Sequence, residues 1–274
     1  MLASMPVATA IDVLVRDVHG ADELRACQLL QRRTWGITED GYLVPVATMA
    51  AAQKMGGVVL GAFDHEERLL GFTFAFLGRL DNQLVLYSQL AAVDPDAQGL
   101  GIGRRLKLEQ RRRAQQLDLD AVVWAFDPLQ ASNASFNLGV LGATCRRYEV
   151  NLYGSRTDAL NVGLATDRLL AEWATRQEPK PLTDLWPDAP DLLETTISPD
   201  GLRVPVATHP AQGQQVRLEI PPNLALTKQN ALIAQAWQRH VRRAFQHAFE
   251  AGFVAIGFTR AEPARPRYLL HRRA

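Results

Sequence analysis

Apolar residues run together or alternate with polar ones over residues 11–18, 57–64, 69–78, 83–93 and 121–127, and recur at helical spacing over 21–35 and 46–55. Short apolar runs bounded by turn residues read as strands, and apolar positions three and four apart read as helices. The pattern predicts a strand at Ile11–Val18, helices at Ala21–Trp35 and Val46–Met55, and a hairpin of Gly57–Asp64 with Leu69–Gly78 around "DHEER". A strand over "QLVLYSQLAAV" follows, stopped by Asp94-Pro95, then a helix from Gly103 with Leu106 and Leu117 facing inward. Ala121–Asp127 is a further strand, "SNASFNLGVLG" a short helix, and "TCRRYEVNLYG" with "DRLLAEWAT" a strand pair. This order predicts an α/β fold, a mixed sheet with helices on both faces.

Residues 177–215 change character, carrying Pro179, Pro181, Pro187, Pro190, Pro199, Pro205 and Pro210, and read as an irregular connector with one hairpin. Beyond them lies a C-terminal α/β extension: a strand "QVRLEIP", a long helix Gln229–Ala251 and a closing hairpin of "FVAIGFT" and "RYLLHR". On that helix Ile233, Trp237, Val241, Ala244, Phe245 and Ala248 form one apolar stripe, with Arg239, Arg242 and Arg243 off it. The expected organisation is a domain of residues 1–175 and a connector with subdomain over 176–274. The extension is too small for secure independent stability, so it is expected to dock, on its own chain or across a homodimer.

With 274 residues, 47% of them apolar, the chain can bury a sizeable core. Lys+Arg 30 against Asp+Glu 29 leaves a net charge of +1, which predicts no long-range field for nucleic acid or an anionic membrane. No apolar run approaches the ~18 residues of a membrane span. The opening "MLASMPVATAIDVLVRD" lacks the cationic start of a signal peptide, and Cys27 and Cys145 make neither a disulfide framework nor a metal spacing. A cytoplasmic location is the expectation. The six histidines show no metal-site context.

Candidate chemistry begins at "AAVDPDAQGLGIGRRLKLEQRRR", where three glycines alternate between a strand and a basic helix. Glycines let backbone N–H groups approach phosphate oxygens closely, and a helix N-terminus favours an anion. The other reading is a tight strand-to-helix connection. The Arg111, Arg112, Arg113 run reads as a solvated face.

Gln98, Gly101 and Gly103 fill the motif Gln/Arg, two residues, Gly, one residue, Gly/Ala, and over its first ~175 residues the chain resembles the GNAT superfamily of acyl-CoA-dependent N-acetyltransferases. "WAFDPLQASNASFN", "LGATCRRYEVNLYG" and "LNVGLATDRLLAEW" further resemble a branch of predicted acetyltransferases with a C-terminal extension. The resemblance implies acetyl-CoA or another acyl-CoA as co-substrate, with pyrophosphate on the amides of Gly99, Leu100, Gly101, Ile102 and Gly103, and Arg104, Arg105 or Lys107 near a phosphate. It implies pantetheine bonded like an added strand along Ala91, Ala92 and Val93, and an oxyanion met by N–H groups near Ala92 and Val93.

The family's Asn after the fifth strand and its Tyr ahead of a Gly-Phe pair are irregular here. Asn133 and Asn137 are one helical turn apart and can point to one side, to hold pantetheine or the helix start. Leu138 falls at the Tyr position, leaving Tyr153 first, then Tyr148, Cys145 and Ser88, as proton donors to the departing thiolate. Core packing is the other reading for the tyrosines and the cysteine, and a strand hydrogen bond for Ser88. The base that takes the acceptor's proton is Asp127, with Glu39 and Asp40 as others; a turn or capping role is equally open for Asp127. "FEAGFVAIGFTRAEPARPRYLLHR" resembles the helix and strands that end the GNAT fold, without a second glycine turn. The expected activity is direct acyl transfer from the CoA thioester to an amine; a silent acyl-CoA-binding regulatory module and an interaction scaffold are the alternatives.

Overall fold

The computed structural model describes residues 12–154, 163–178 and 186–273, so the opening residues through Ile11, Pro179, Pro181 and the first three residues of "LNVGLATDRLLAEW" lie outside the described residues. The chain forms two compact units, one reaching Val122 and the other beginning at Val123, whereas the sequence pattern put a boundary near residue 175.

The first unit contains β1 (Leu14–Asp17), α1 (Gly20–Trp35), α2 (Val46–Lys54), β2 (Val58–Phe63), β3 (Leu69–Leu80), β4 (Gln83–Val93) and α3 (Ile102–Gln116). Its strands lie in the order β1-β2-β3-β4, each antiparallel to its neighbour. In the β3–β4 ladder Phe74 faces Leu90 but Ala75 faces Ser88, which makes Gln89 the extra residue of a β-bulge. Strand alternation sorts the faces. Phe72 and Phe74 pack with Leu24, Cys27 and Leu30 of α1 and Met49 of α2. Gly71 turns to α3, where an added Cβ would stand 3.1 Å from both Ile102 Cγ2 and Leu106 Cδ1. A glycine here lets the first turn of α3 close onto β3. Leu106 is buried as expected; Leu117 is exposed instead, because it caps α3 where the chain leaves the helix.

The second unit opens within β5 (Ala121–Phe126) and continues through α4 (Ala131–Ala134), which widens into a π-helical turn at Ser135–Val140, β6 (Thr144–Glu149) and β7 (Arg168–Ala174). Next come β8 (Leu193–Ile197), β9 (Arg203–Thr208), β10 (Gln215–Glu219), α5 (Leu224–Thr227), α6 (Ala231–Glu250), β11 (Phe253–Thr259) and β12 (Arg267–Arg272). β8 and β9 are the hairpin expected in the proline-rich stretch. The other strands follow the order β5-β7-β6-β11-β12-β10. β6 pairs antiparallel with both β7 and β11, with Cys145 opposite Ala171 on one side and Ala255 on the other. The extension therefore shares a sheet with β6 and β7 of its own chain, which explains why no unit boundary falls near residue 175.

The α6 stripe is buried as its periodicity predicts. Phe245 packs its ring 5.7 Å from Tyr148 and 5.0 Å from Tyr268, and the Tyr268 hydroxyl donates to the Pro128 carbonyl at 2.8 Å. Trp237 Nε1 donates to the Arg203 carbonyl at 2.9 Å, tying the β8–β9 hairpin to the helix.

Candidate functional site

Asp94 ends β4 by accepting from the Asp96 N–H at 3.0 Å, and its carboxylate pairs with Arg33 of α1 at 3.1 Å. Gln98 folds back, its amide donating to the Val93 carbonyl at 3.3 Å, which Thr34 Oγ1 also approaches at 3.4 Å. Gln98 thus braces the turn through its side chain. Gly99 and Gly101 follow at φ 80° and 79°, and an added Cβ would meet nothing within 4 Å at either. Left-handed backbone with open space in front is what a close-approaching ligand requires of glycine. Arg105 N–H donates to the Gly101 carbonyl at 3.1 Å, so the N–H groups of Ile102, Gly103 and Arg104 belong to the unbonded first turn of α3. Gly101, the N-cap, brings no capping side chain. The result is a set of backbone donors at the positive end of a fifteen-residue helix.

The basic residues differ from one another in placement. Arg104 is exposed in the first helical turn. Arg105 donates to the Val13 carbonyl at 2.7 Å, and Lys107 is buried. Arg111 is buried too, while Arg112 pairs with Glu109 and Arg113 with Asp17 and Glu109, so the arginine run is not a uniformly solvated face. Ala91, Ala92 and Val93 register with Thr73, Phe72 and Gly71. The Asp94 N–H bonds the Leu70 carbonyl at 2.8 Å, so by antiparallel alternation Ala92 turns its N–H to β3 and Ala91 and Val93 turn theirs away. This corrects the expectation that Ala92 offers a donor.

Ser88 lies on the α3 face, 5% exposed, its Oγ accepting from Lys107 Nζ at 2.8 Å. Lys107 also donates to Gln110 Oε1 at 3.1 Å, and Gln110 Nε2 donates to Thr73 Oγ1. The partner this geometry gives the Ser88 hydroxyl is a helix lysine, rather than a group of its own sheet. Burial pushes the Lys107 ammonium down to about 7. Between that value and the ordinary lysine value of 10.5 the unfolded chain binds the extra proton, so rising pH favours folding. Wild type should therefore gain stability relative to Lys107→Met as pH rises from about 7 towards 10.5, read as denaturant midpoints; a constant gap would contradict a perturbed Lys107.

In the second unit Asp127 Oδ1 accepts from the Leu129 N–H at 2.9 Å, the turn role weighed for it. Burial nonetheless raises its carboxyl above the ordinary value, against that hydrogen bond and the charges of Arg168 and Lys228. Tyr153 stands in the turn after β6, 39% exposed, with the Arg168 guanidinium 5.3 Å from its ring centroid. The Arg168 guanidinium thus lies beside the Tyr153 ring, and its charge acts on Asp127. Tyr148 is committed elsewhere: its hydroxyl donates to Asp167 Oδ2 at 2.7 Å, and burial with that carboxylate raises its pKa strongly. Asp167 is buried and also accepts from Asn151 N–H at 3.1 Å and from Arg242 Nε and Nη2 at 2.8 and 3.0 Å. Cys145 is buried, its thiol pushed well above the usual value, and Leu138 is core.

Asn133 is exposed and Asn137 buried, so the two amides do not share a side. Asn133 belongs to α4 and Asn137 to the π-helical turn that follows it. Arg168, Asp167 and Arg242 were not singled out from sequence. A signal existed for Arg242: Gln238 and Arg242 flank the α6 stripe one turn apart, and Gln238 exchanges two bonds with Ala165 while Arg242 holds Asp167. Among the described residues no helix is long and apolar enough to cross a membrane, and no three His, Cys, Asp or Glu side chains gather as a metal group.

No family model and no curated protein sequence matches the chain. It is similar to solved structures. One is the NatC complex bound to Gag peptide and CoA, at 13% identity and TM-score 0.48, over 60% of this chain and 99% of that one. Another is the ribosomal-protein-alanine N-acetyltransferase of Escherichia coli, at 15% and 0.47, over 63% and 100%. A third is the GNAT superfamily phosphinothricin acetyltransferase of Sinorhizobium meliloti in complex with acetyl-CoA, at 18% and 0.47, over 64% and 96%. The two enzymes named are acetyltransferases. Each comparison leaves more than a third of this chain unmatched.

Proposed function

We propose that this protein is a GNAT-type acyltransferase moving an acetyl or other short acyl group from its CoA thioester to an amine by direct attack. The observation that carries the reading is the turn between β4 and α3, where two left-handed glycines with open space in front precede the unbonded N–H groups of a helix. Coenzyme pyrophosphate would take donors from Gly99 to Gly103, with exposed Arg104 adding charge. Pantetheine would lie along Ala91 and Val93, and the Val93 N–H, turned away from β3, would meet the tetrahedral oxyanion.

Asp127 is the candidate base, because a carboxyl with a raised pKa is better matched to accepting a proton near neutrality. A base acts unprotonated, so kcat/KM should rise with pH through a limb above the ordinary aspartate value of about 3.9, and Asp127→Asn should lose that limb. An acid limb unchanged in the variant would remove Asp127 from the role. Tyr153 is the candidate acid: Tyr153→Phe should lower kcat about 100-fold and leave CoA affinity as it was. Wild-type turnover in that variant would assign the proton to solvent.

Leu138, buried where the family often has its Tyr, favours a second reading as a silent acyl-CoA-binding module. Release of CoA thiol from acetyl-CoA with a panel of amines separates the two. Amine-dependent release is expected; binding without release under every amine would favour the silent module, and absence of CoA binding would favour a scaffold.

A further inference from the structure

We infer that Lys107 and Gln110 are positioning residues that hold the β4 bulge, and through it the backbone of Ala91–Val93, in the geometry a coenzyme meets; this rests on the acyl-CoA reading above. A bulge interrupts the ladder and leaves one residue unpaired, so its local shape needs support from outside the two strands. Gln89 is that residue. Lys107 bonds Ser88, immediately before it on β4, and Gln110 bonds Thr73 on β3, the register partner of Ala91 two residues after it. One bond thus holds β4 on the near side of the bulge and the other holds β3 opposite its far side, and Lys107 and Gln110 are joined to each other at 3.1 Å.

Both side chains come from α3, the helix whose first turn follows Gly101. They occupy the buried face beside Leu106 and Ala114, where an apolar residue would fill the space without the desolvation cost of an ammonium. Burial lowers the Lys107 pKa to about 7, a measure of that cost. Methionine in its place would supply bulk and no direction. What lysine adds is a hydrogen bond aimed at one side of an irregular point in the strand.

The test uses the full chain and two readouts. Amide hydrogen exchange without ligand should be about tenfold faster over residues 86–93 in Lys107→Met, as expected where a buried hydrogen bond is lost, and unchanged in α1. Acetyl-CoA affinity by calorimetry should fall about tenfold in the same variant. Ser88→Ala, a smaller change that preserves the core, should shift both readouts the same way. Adding it to Lys107→Met should give no further effect, since the two act through one bond. Lys107→Gln, which retains a donor, should recover part of the loss. Exchange over 86–93 unaltered in both single variants, or additive effects in the double variant, would overturn the inference. If wild type fails to bind CoA while exchange responds as stated, the acyl-CoA reading falls and the support of the bulge stands; if CoA binds equally to all variants, the acyl-CoA reading stands and the inferred link from Lys107 to the coenzyme falls.

Discussion

Gly101→Val is expected to remove acetyl-CoA binding, by more than about 100-fold, from a protein that still folds; two or more charge-assisted bonds at roughly 1.5–3 kcal/mol each set that scale. The chain itself leaves the space beyond Gly101 empty, since a Cβ there meets nothing within 4 Å. Steric conflict would therefore arise only with a ligand. The backbone cost is separate: φ is +79°, a region that costs an L-residue about 1–2 kcal/mol and a β-branched one more. Gly213→Val is the matched control. It has φ +76° and the same empty surroundings, in the loop before β10. Comparable losses of melting temperature in the two variants, with binding lost in the first alone, would separate the ligand's need for glycine from the backbone's. Unchanged affinity in a folded Gly101→Val protein would defeat the anion-cradle assignment.

Truncation after Arg176 is expected to have the largest structural effect. It deletes α6 and β10 to β12 while keeping β6 and β7, so the β6 edge that pairs with β11 is uncovered at Cys145. Tyr148 loses the Phe245 ring, and Asp167 loses the bidentate Arg242 guanidinium. A buried carboxylate stripped of its cation costs roughly 3–5 kcal/mol, a large share of the ~5–15 kcal/mol by which a domain is stable. The truncated chain should bind a hydrophobic dye, associate in sizing chromatography and lose amine-dependent turnover. A monodisperse fragment that melts like the full chain and turns over at the full rate would demote the extension to an appendage.

Much of the element order was legible because it rests on local chemistry. The 83–93 run is β4 to the residue, and Asp94 stops it with its own carboxylate on the Asp96 N–H. The α6 stripe announced its buried face, since Trp237, Val241 and Phe245 must face one way at helical spacing. The turn was legible because three glycines alternate between a strand and a helix, and two of them, Gly99 and Gly101, take left-handed backbone.

What was not legible depends on partners distant in the chain or on single-residue irregularity. The Gln89 bulge leaves no mark in an alternating strand, yet it sets Ser88 against Lys107. Lys107 and Gln110 fall within the apolar side of α3 beside Leu106 and Ala114, a pattern open to reading as two buried polar residues but masked by the arginines around it. Asn133 is exposed and Asn137 buried across the change from α4 to a π-helical turn, which the residue spacing does not announce. The continuity of the extension with β6 and β7 brings together residues far apart in the chain, such as Cys145 and Ala255 at 110 positions, which no local periodicity encodes.

The most direct test of the central claim is the electron density of this protein crystallised with CoA. The account predicts the pyrophosphate within hydrogen-bonding distance of the N–H groups from Gly99 to Gly103, at the start of α3, with pantetheine running beside Ala91 and Val93. Coenzyme bound elsewhere, or none bound at saturating concentration, would contradict it.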